Sequence, residues 1–349
     1  MDIVTLFIKL AKISSPSGHE GEICKYLQSW LKAQQFEFKI DSVGNIYASN
    51  NKPGIPLLLC AHMDTVQPGE NIKPIIENGI IKSDGKTILG ADNKAALAAI
   101  MTAVEKNNDK NIELLFTVKE EAGGGVEHFP FKWIKSKKAL IFDSSNPLGG
   151  IVTRSPYIYN FDIKLTGKSA HASKPELGIN AFTPAFEALS AIPVGTQDAE
   201  ETTINFGLIN GGTGINTIPN SIQIQGEVRS YDKSLFKKHL DHIEKTIKQC
   251  AKKHKVHVVF SLNGYCAGCS HGKNSVIIDQ IDSLYKKMGL KTTYYEYSGI
   301  SDANVLNEKG IETYNLTDGT EHPHTTQEQI TVKNLVKLEE IVKKCIAEL

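Results

Sequence analysis

Arginine is almost absent from this chain. Of 39 basic residues only Arg154 and Arg229 are arginine, and the rest are lysine. Lysine therefore supplies generic surface charge, and each arginine marks a place that wants a planar, two-pronged donor. Excess charge is missing as well, because 39 acidic residues balance the basic ones. Nothing in that balance recruits nucleic acid or an anionic membrane. No apolar run could span a bilayer. The opening stretch, MDIVTLFIKLAKISSPSG, is broken by Lys9 and Lys12 and lacks the basic start of a secretion signal. A cytoplasmic protein is expected. The six cysteines are too few and too scattered for a disulfide scaffold. Cys266 and Cys269 form a CxxC with His271 beyond it, but no further ligands follow at the spacing of a closed zinc site. Reduced thiols are expected there.

What is present is an alternation of elements. A chain of 349 residues has room for two domains. GEICKYLQSWLKAQQ and KAALAAIMTAVEKN have helical periodicity, whereas IPLLLC, IELLFTV and KALIFD read as strands. Strands separated by helices imply an α/β domain with a mostly parallel central sheet flanked by helices. The C-terminal part resumes that theme with NSVIIDQIDSLYKKMG, GIETYNL and TVKNLVKLEEIVKKCIAEL. The middle differs: IYNFDIKLTG, NAFTPAFEALSAI, TTINFGLING, SIQIQGEVRSYD, KSLFKKHLDHIEKTIKQCAKKH and KVHVVFSL read as βαββαβ. That is the order of a ferredoxin-like α+β layer. An inserted domain over 153–262 is expected, within a discontinuous domain formed by 1–152 and 263–349. TGKSAH ends like a phosphate-binding loop, but the required first glycine falls on Asp162.

Several strands of the α/β part end in metal-seeking side chains. LLLCAHMDT delivers His62 and, two residues on, Asp64. An imidazole on a metal has its second nitrogen held by a carboxylate or carbonyl, and Asp64 can supply one. In ILGADNKAALAAI, Asp92 precedes a helix, where it can cap the backbone or bridge two cations. IELLFTVKEEAGGG ends in Glu120 and Glu121 before glycines that let the backbone close in. One of the pair can ligate metal while the other handles protons. KALIFDSSNP contributes Asp143, and TDGTEHPHTTQEQI brings His322 and His324 after another strand. Each alone has a bland reading. Together they gather at the carboxyl edge of one sheet, where α/β proteins build their sites.

The ordered set HMDT, GADNKAALA, KEEAGG, IFDSSNP and HPHTTQE resembles the dinuclear-zinc metallopeptidase family that contains peptidase T, glutamate carboxypeptidase and the aminoacylases. The resemblance covers the whole chain, and GKSAHASKPELGINA is most similar to the tripeptidase T branch. It implies that Asp92 bridges two zincs, with cobalt or manganese as possible substitutes. His62 and Asp143 would complete one metal's shell, and Glu121 and His324 the other's. Asp64 would orient His62, and Glu120 would be the general base. The HT..E spacing favours His324 over His322. The inserted domain would be a lid through which a homodimer forms. His171 would steady the oxyanion, often from a partner subunit, and Asn216 and Arg229 would grip substrate. A cis peptide between Asp92 and Asn93 is implied too.

The reaction expected from this resemblance is removal of N-terminal residues from short peptides. An amidohydrolase acting on N-acyl amino acids would use the same metals and remains open at this level. A non-catalytic relative would be expected to lack a ligand or the base, and none is missing.

Overall fold

Residues 57–62, LLLCAH, are all buried, yet they serve two cores. Leu57, Leu59 and Ala61 join a cluster with Phe7, Leu27, Ile100 and Leu338, whereas Leu58 and Cys60 join one with Phe129, Ala303 and Leu306. Alternate residues of a strand point to opposite faces, so this strand belongs to a sheet covered on both sides. Its sequence is continuously apolar for that reason.

The computed structural model describes Met1–Leu349 apart from Asn108, Lys273, Asn274 and the side chain of Glu200. The chain divides into two units, one of Met1–Thr153, His271–Tyr297 and Ser301–Leu349, the other of Arg154–Ser270 and Ser298–Ile300. In chain order the elements begin with α1 (Ile3–Ala11), α2 (Gly21–Ala33), β1 (Glu37–Ile40), β2 (Ile46–Ser49), β3 (Leu57–His62), β4 (Ile75–Glu77) and β5 (Ile80–Lys82). Next come α3 (Ala91–Glu105), β6 (Ile112–Thr117), β7 (Lys138–Ser144) and β8 (Gly150–Ser155). The second unit carries β9 (Tyr157–Thr166), α4 (Phe182–Ala191), β10 (Gly195–Gln197), β11 (Thr202–Gly211), β12 (Ser221–Ser230), α5 (Lys233–Lys253), β13 (His257–Cys266) and β14 (Cys269–Ser270). The first unit then resumes with α6 (Val276–Lys287), β15 (Thr293–Glu296), α7 (Asp302–Glu308), β16 (Glu312–Thr317), β17 (Gln329–Thr331) and α8 (Val332–Glu348).

In the first unit the main sheet runs β1-β2-β6-β3-β7-β16-β8, with β15 also pairing β8. The neighbours β6–β3, β3–β7 and β7–β16 are parallel, whereas β1–β2, β2–β6 and β16–β8 are antiparallel. The sheet is mixed, and its parallel order is confined to the centre. Helix α3 is rich in alanine and buried on nearly every side, packed against α1, α8 and β3. Small side chains let the neighbouring helices approach it closely.

In the second unit the sheet order is β10-β11-β12-β9-β13, antiparallel throughout. Its four long strands have the ferredoxin-like arrangement. Phe161, Ile163 and Leu165 of β9 alternate inward and meet Phe236, Leu240, Ile243 and Ile247 of α5, which recur at helical spacing. The strand read as ending near Leu262 runs on to Cys266 through a register shift after Asn263, and the chain stays with this unit through Ser270. Among the described residues no helix is long and apolar enough to cross a membrane.

Candidate metal centre

Parallel pairing brings the carboxyl ends of the central strands level. His62 lies opposite Thr117, and Cys60 lies opposite both Leu115 and Ile141. His62 closes β3 at 2% exposure. Glu120 and Glu121 follow β6 by a few residues, and Asp143 is the penultimate residue of β7. Asp92 opens α3, and His324 comes from the segment between β16 and β17. The turn after β6 depends on glycine: a Cβ on Gly125 would fall 1.7 Å from the Val118 carbonyl oxygen. Asn45 ties the two ends of that turn, accepting from the Val118 N–H at 3.0 Å and donating to the Gly125 carbonyl at 3.0 Å.

Asp92 is the hub. Its Oδ1 lies 3.1 Å from His62 Nε2, and its Oδ2 lies 3.3 Å from His324 Nε2. His62 Nε2 is also 3.6 Å from Asp143 Oδ1, and His324 Nε2 is 2.9 Å from Glu121 Oε1. Ligand atoms of His62, Asp92 and Glu121 lie within 4.8 Å of one another, as do those of His62, Glu120 and Asp143. Asp92 is not the N-cap of α3, the bland alternative at this position. Gly90 holds that place, and Asp92 sits at φ −79°, ψ 104°, with its oxygens turned to the imidazoles. The Asp92–Asn93 peptide is cis.

Residues around the cluster fix its members. His62 Nδ1 is 3.0 Å from the Asp64 carbonyl and 3.4 Å from Asp64 Oδ1. The Asp64 carboxylate also accepts from the N–H groups of Glu120 and Glu121, at 3.0 and 3.2 Å, and from the Ser17 hydroxyl. Asn93 donates to the Phe142 carbonyl and to Asp143 Oδ1, at 2.6 and 3.2 Å. Asn315 accepts from the Asp143 N–H and donates to its carbonyl, both at 3.0 Å. The sequence gives no local sign of Asn93, Asn315 or Ser17, because their partners are distant in the chain. His322 is exposed beside a pocket of about 450 Å³ lined by Lys82, Asp84 and Gln327, and belongs to neither ligand group. Cys269 lies 3.1 Å from the Ser155 hydroxyl, and none of the six cysteines forms a disulfide.

The cluster's charges are in conflict. Burial pushes the Asp143 carboxyl up to about 7, against the pull of His62, and Asp92 and Glu121 add repulsion. Burial, with Asp143 beside it, drives Glu120 well above the ordinary carboxylate range. Burial opposes charge on His62, but Asp143, Asp64 and Asp92 outweigh it and hold the imidazole well above its ordinary value. Asp92 and Glu121 raise His324 to about 10. Burial would raise Asp92, yet His324 and His62 hold it well below the usual range. Protons crowded among carboxylates are what a divalent cation displaces.

In the second unit, His171 is exposed, with Nδ1 2.8 Å from the Ser173 hydroxyl. It bridges to Thr217, and the Ala172 N–H donates to the Asn216 carbonyl at 2.9 Å, so these segments lie side by side. Arg229 is elsewhere in that unit. Its fork grips Glu227 at 2.8 and 3.0 Å, and it donates to the Ser298 carbonyl at 2.9 Å. Arg154 pairs with Glu201 and stacks over Tyr231.

Comparison with known proteins agrees with this chemistry. A peptidase dimerisation domain model matches residues 157–256. The crystal structure of aminopeptidase PepT from Bacillus cereus ATCC 10987 is 33% identical, with a TM-score of 0.92 over 99% of this chain and 97% of that one. YqjE of Bacillus subtilis strain 168 is 32% identical over 98% of this chain and 96% of its own length. This chain belongs to the M20 metallopeptidase family, in its peptidase T branch. A tripeptidase from Staphylococcus aureus Mu50 is 28% identical, with a TM-score of 0.91 over 99% of this chain and 98% of that one. As an M20 peptidase the chain needs a metal centre. Among the described residues, both groups of side chains suited to holding an ion lie in this one cluster.

Proposed function

We propose that this M20 chain is a metal-dependent exopeptidase that removes N-terminal residues from short peptides, tripeptides among them. One observation carries the reading: the two oxygens of Asp92 face different imidazoles, at 3.1 and 3.3 Å. That is the arrangement a carboxylate needs to bridge a pair of ions. The donor set fits zinc, with cobalt or manganese as substitutes, because it combines imidazole nitrogen and carboxylate oxygen without thiolate. His62, Asp143 and one Asp92 oxygen would hold the first ion. Glu121, His324 and the other Asp92 oxygen would hold the second.

The ions, when bound, supply Lewis acidity and a water acidic enough to attack at neutral pH. The chain's own residues do the rest. Asp64 holds His62 through Nδ1, which leaves Nε2 free to face a ligand site. Among the described residues no donor is bonded to the Glu120 carboxylate, whereas Glu121 is engaged with His324. Glu120 is therefore the base that takes the proton of the attacking water and returns it to the departing amine.

Similarity to the Bacillus cereus aminopeptidase and the Staphylococcus aureus tripeptidase supports an unblocked peptide over an N-acyl amino acid as substrate. The zinc-loaded protein should cleave unblocked tripeptides and leave N-acetyl amino acids intact. The opposite preference would sink the peptide reading. Six cysteines without a disulfide among them fit a reducing, cytoplasmic setting.

The reading includes a homodimer, which the dimerisation-domain match supports. Thr166 and Ser221 pair at one end of the β9–β12 ladder, the end from which the segments carrying His171 and Asn216 extend. Arg229 lies eight residues along β12 from Ser221, roughly 27 Å at strand spacing. One copy of this unit cannot turn both ends to the same tripeptide. The two ends would serve different active sites, with His171 crossing to a partner's oxyanion.

A further inference from the structure

Asp92 must present both oxygens, yet the helix it opens does not set its conformation. Its φ and ψ, and those of Asn93 (−115°, 24°), are not helical. The first N–H groups of a helix have no partner within it, and Gly90, at the N-cap position, has no side chain to offer. The partner comes from far along the chain. Glu328, 1% exposed, accepts from the N–H groups of Leu89 and Gly90 on Oε2, at 2.8 and 2.7 Å, and from the Asp92 N–H on Oε1 at 2.9 Å.

The same short segment carries His324. At one end the His324 imidazole faces Asp92 Oδ2 at 3.3 Å, and at the other the Glu328 carboxylate grips the Asp92 backbone at 2.9 Å. The span is braced internally: the Glu328 N–H donates to the Thr325 carbonyl at 3.1 Å, and the Thr325 hydroxyl donates to the His322 carbonyl at 2.8 Å. His324 and the residue between the two metal positions are thus tied into one ring of contacts.

We propose that Glu328 is a positioning residue of the metal centre: its carboxylate fixes the backbone of Asp92 so that each Asp92 oxygen reaches its own ion. This rests on the dinuclear reading above. Glutamine has the same shape, but its amide nitrogen would meet an N–H donor where a carboxylate oxygen now accepts one. Groups that orient a ligand typically change metal affinity by about 10–100-fold when removed.

The test is titration of the metal-free full-length protein with Co²⁺, read by visible absorption, beside thermal melting of the same samples. Wild type should take up two ions. Glu328→Gln should bind Co²⁺ about 10–100-fold more weakly, with an altered absorption band. Glu321→Gln, on an exposed acid that pairs with Gln329 in the same region, should leave affinity unchanged. If Glu328→Gln does not fold, Glu328→Asp takes its place, since a carboxylate one methylene shorter cannot reach all three N–H groups. A lowered melting temperature with unchanged affinity would overturn the proposal, because Glu328 would then be only a helix cap. Failure of both variants to fold would overturn it on the same ground. A wild-type protein that takes up fewer than two ions would instead count against the dinuclear reading itself.

Discussion

Glu120 and Glu121 are neighbours with different surroundings. Glu121 offers an oxygen to His324 at 2.9 Å, while Glu120 is half-buried beside Asp143 and, among the described residues, has no donor on its carboxylate. Glu120→Gln should cut turnover by at least about 10²–10⁴-fold with both ions still bound. Glu121→Gln should lose one ion. Steady-state kinetics with elemental analysis separates the two, and the reverse pattern would swap their roles. Protons enter the same account. The imidazoles of His62 and His324 are both raised in the metal-free protein, His324 to about 10. Their ion pairing therefore stabilises the metal-free fold fully below the unfolded value of about 6.5, and that contribution is lost as pH rises through the folded values. A metal accepts only the neutral ring, so each imidazole that must release a proton costs about tenfold in apparent affinity per pH unit of acidification. Affinity for Co²⁺ should rise steadily from pH 6 to 8, and proton release should appear as a buffer dependence of the binding enthalpy. A flat profile would exclude charged imidazoles. At this scale the sequence was legible where a side chain ends an apolar strand, as His62 and Asp143 do. The backbone that a side chain serves was opaque where it is remote: Glu328 and Asn93 stand in the motifs HPHTTQE and GADNKAALA, but their partners, like those of Asn315, leave no local sign. Arg229 does hold a carboxylate with its fork, but that carboxylate is Glu227 of its own chain.

Elements place these residues through close contacts that glycine permits. The turn from Val118 to Gly125 carries both glutamates, and Gly123 and Gly124 take φ of 72° and 89°. At Gly125 any Cβ collides with the Val118 carbonyl. Gly125→Ala must therefore displace the turn, and a shift of about 1 Å can cost about 10²-fold in rate. We expect turnover to fall by that order and the Co²⁺ spectrum to change, both measured on protein that still melts cooperatively. Normal kinetics would mean the turn does not position the glutamates. The helices and central strands were readable from periodicity. The antiparallel flanks were not, because strand direction leaves no trace in a four-residue buried run such as IYAS at β2. The extension of β13 to Cys266 was hidden likewise, since its last residues are mostly exposed and polar or small.

For the whole molecule the insertion was visible as a change from alternating α/β to βαββαβ. The return of Ser298–Ile300 to the second unit had no signal in composition. The placement of His171 and Arg229 at opposite ends of one sheet gives the dimer proposal a sharp test. His171→Ala should lower turnover about 10²–10³-fold without changing metal content. Mixing that variant with Glu120→Gln should restore part of the activity, because one site of a mixed dimer joins an intact base to an intact visiting histidine. Mixed dimers that stay inactive would remove the crossing.

Strand β16 lies between β7 and β8, which are close in sequence. During synthesis the slot between them must stay open while the whole second unit emerges. The first unit's sheet cannot close until β16 arrives, and the segment bearing His324 and Glu328 comes later still. A ribosome-bound chain therefore holds His62, Asp92 and Asp143 long before it can assemble the centre. On the proposed ligand set, the order in which the strands are made delays the centre until the second unit and β16 have been synthesised.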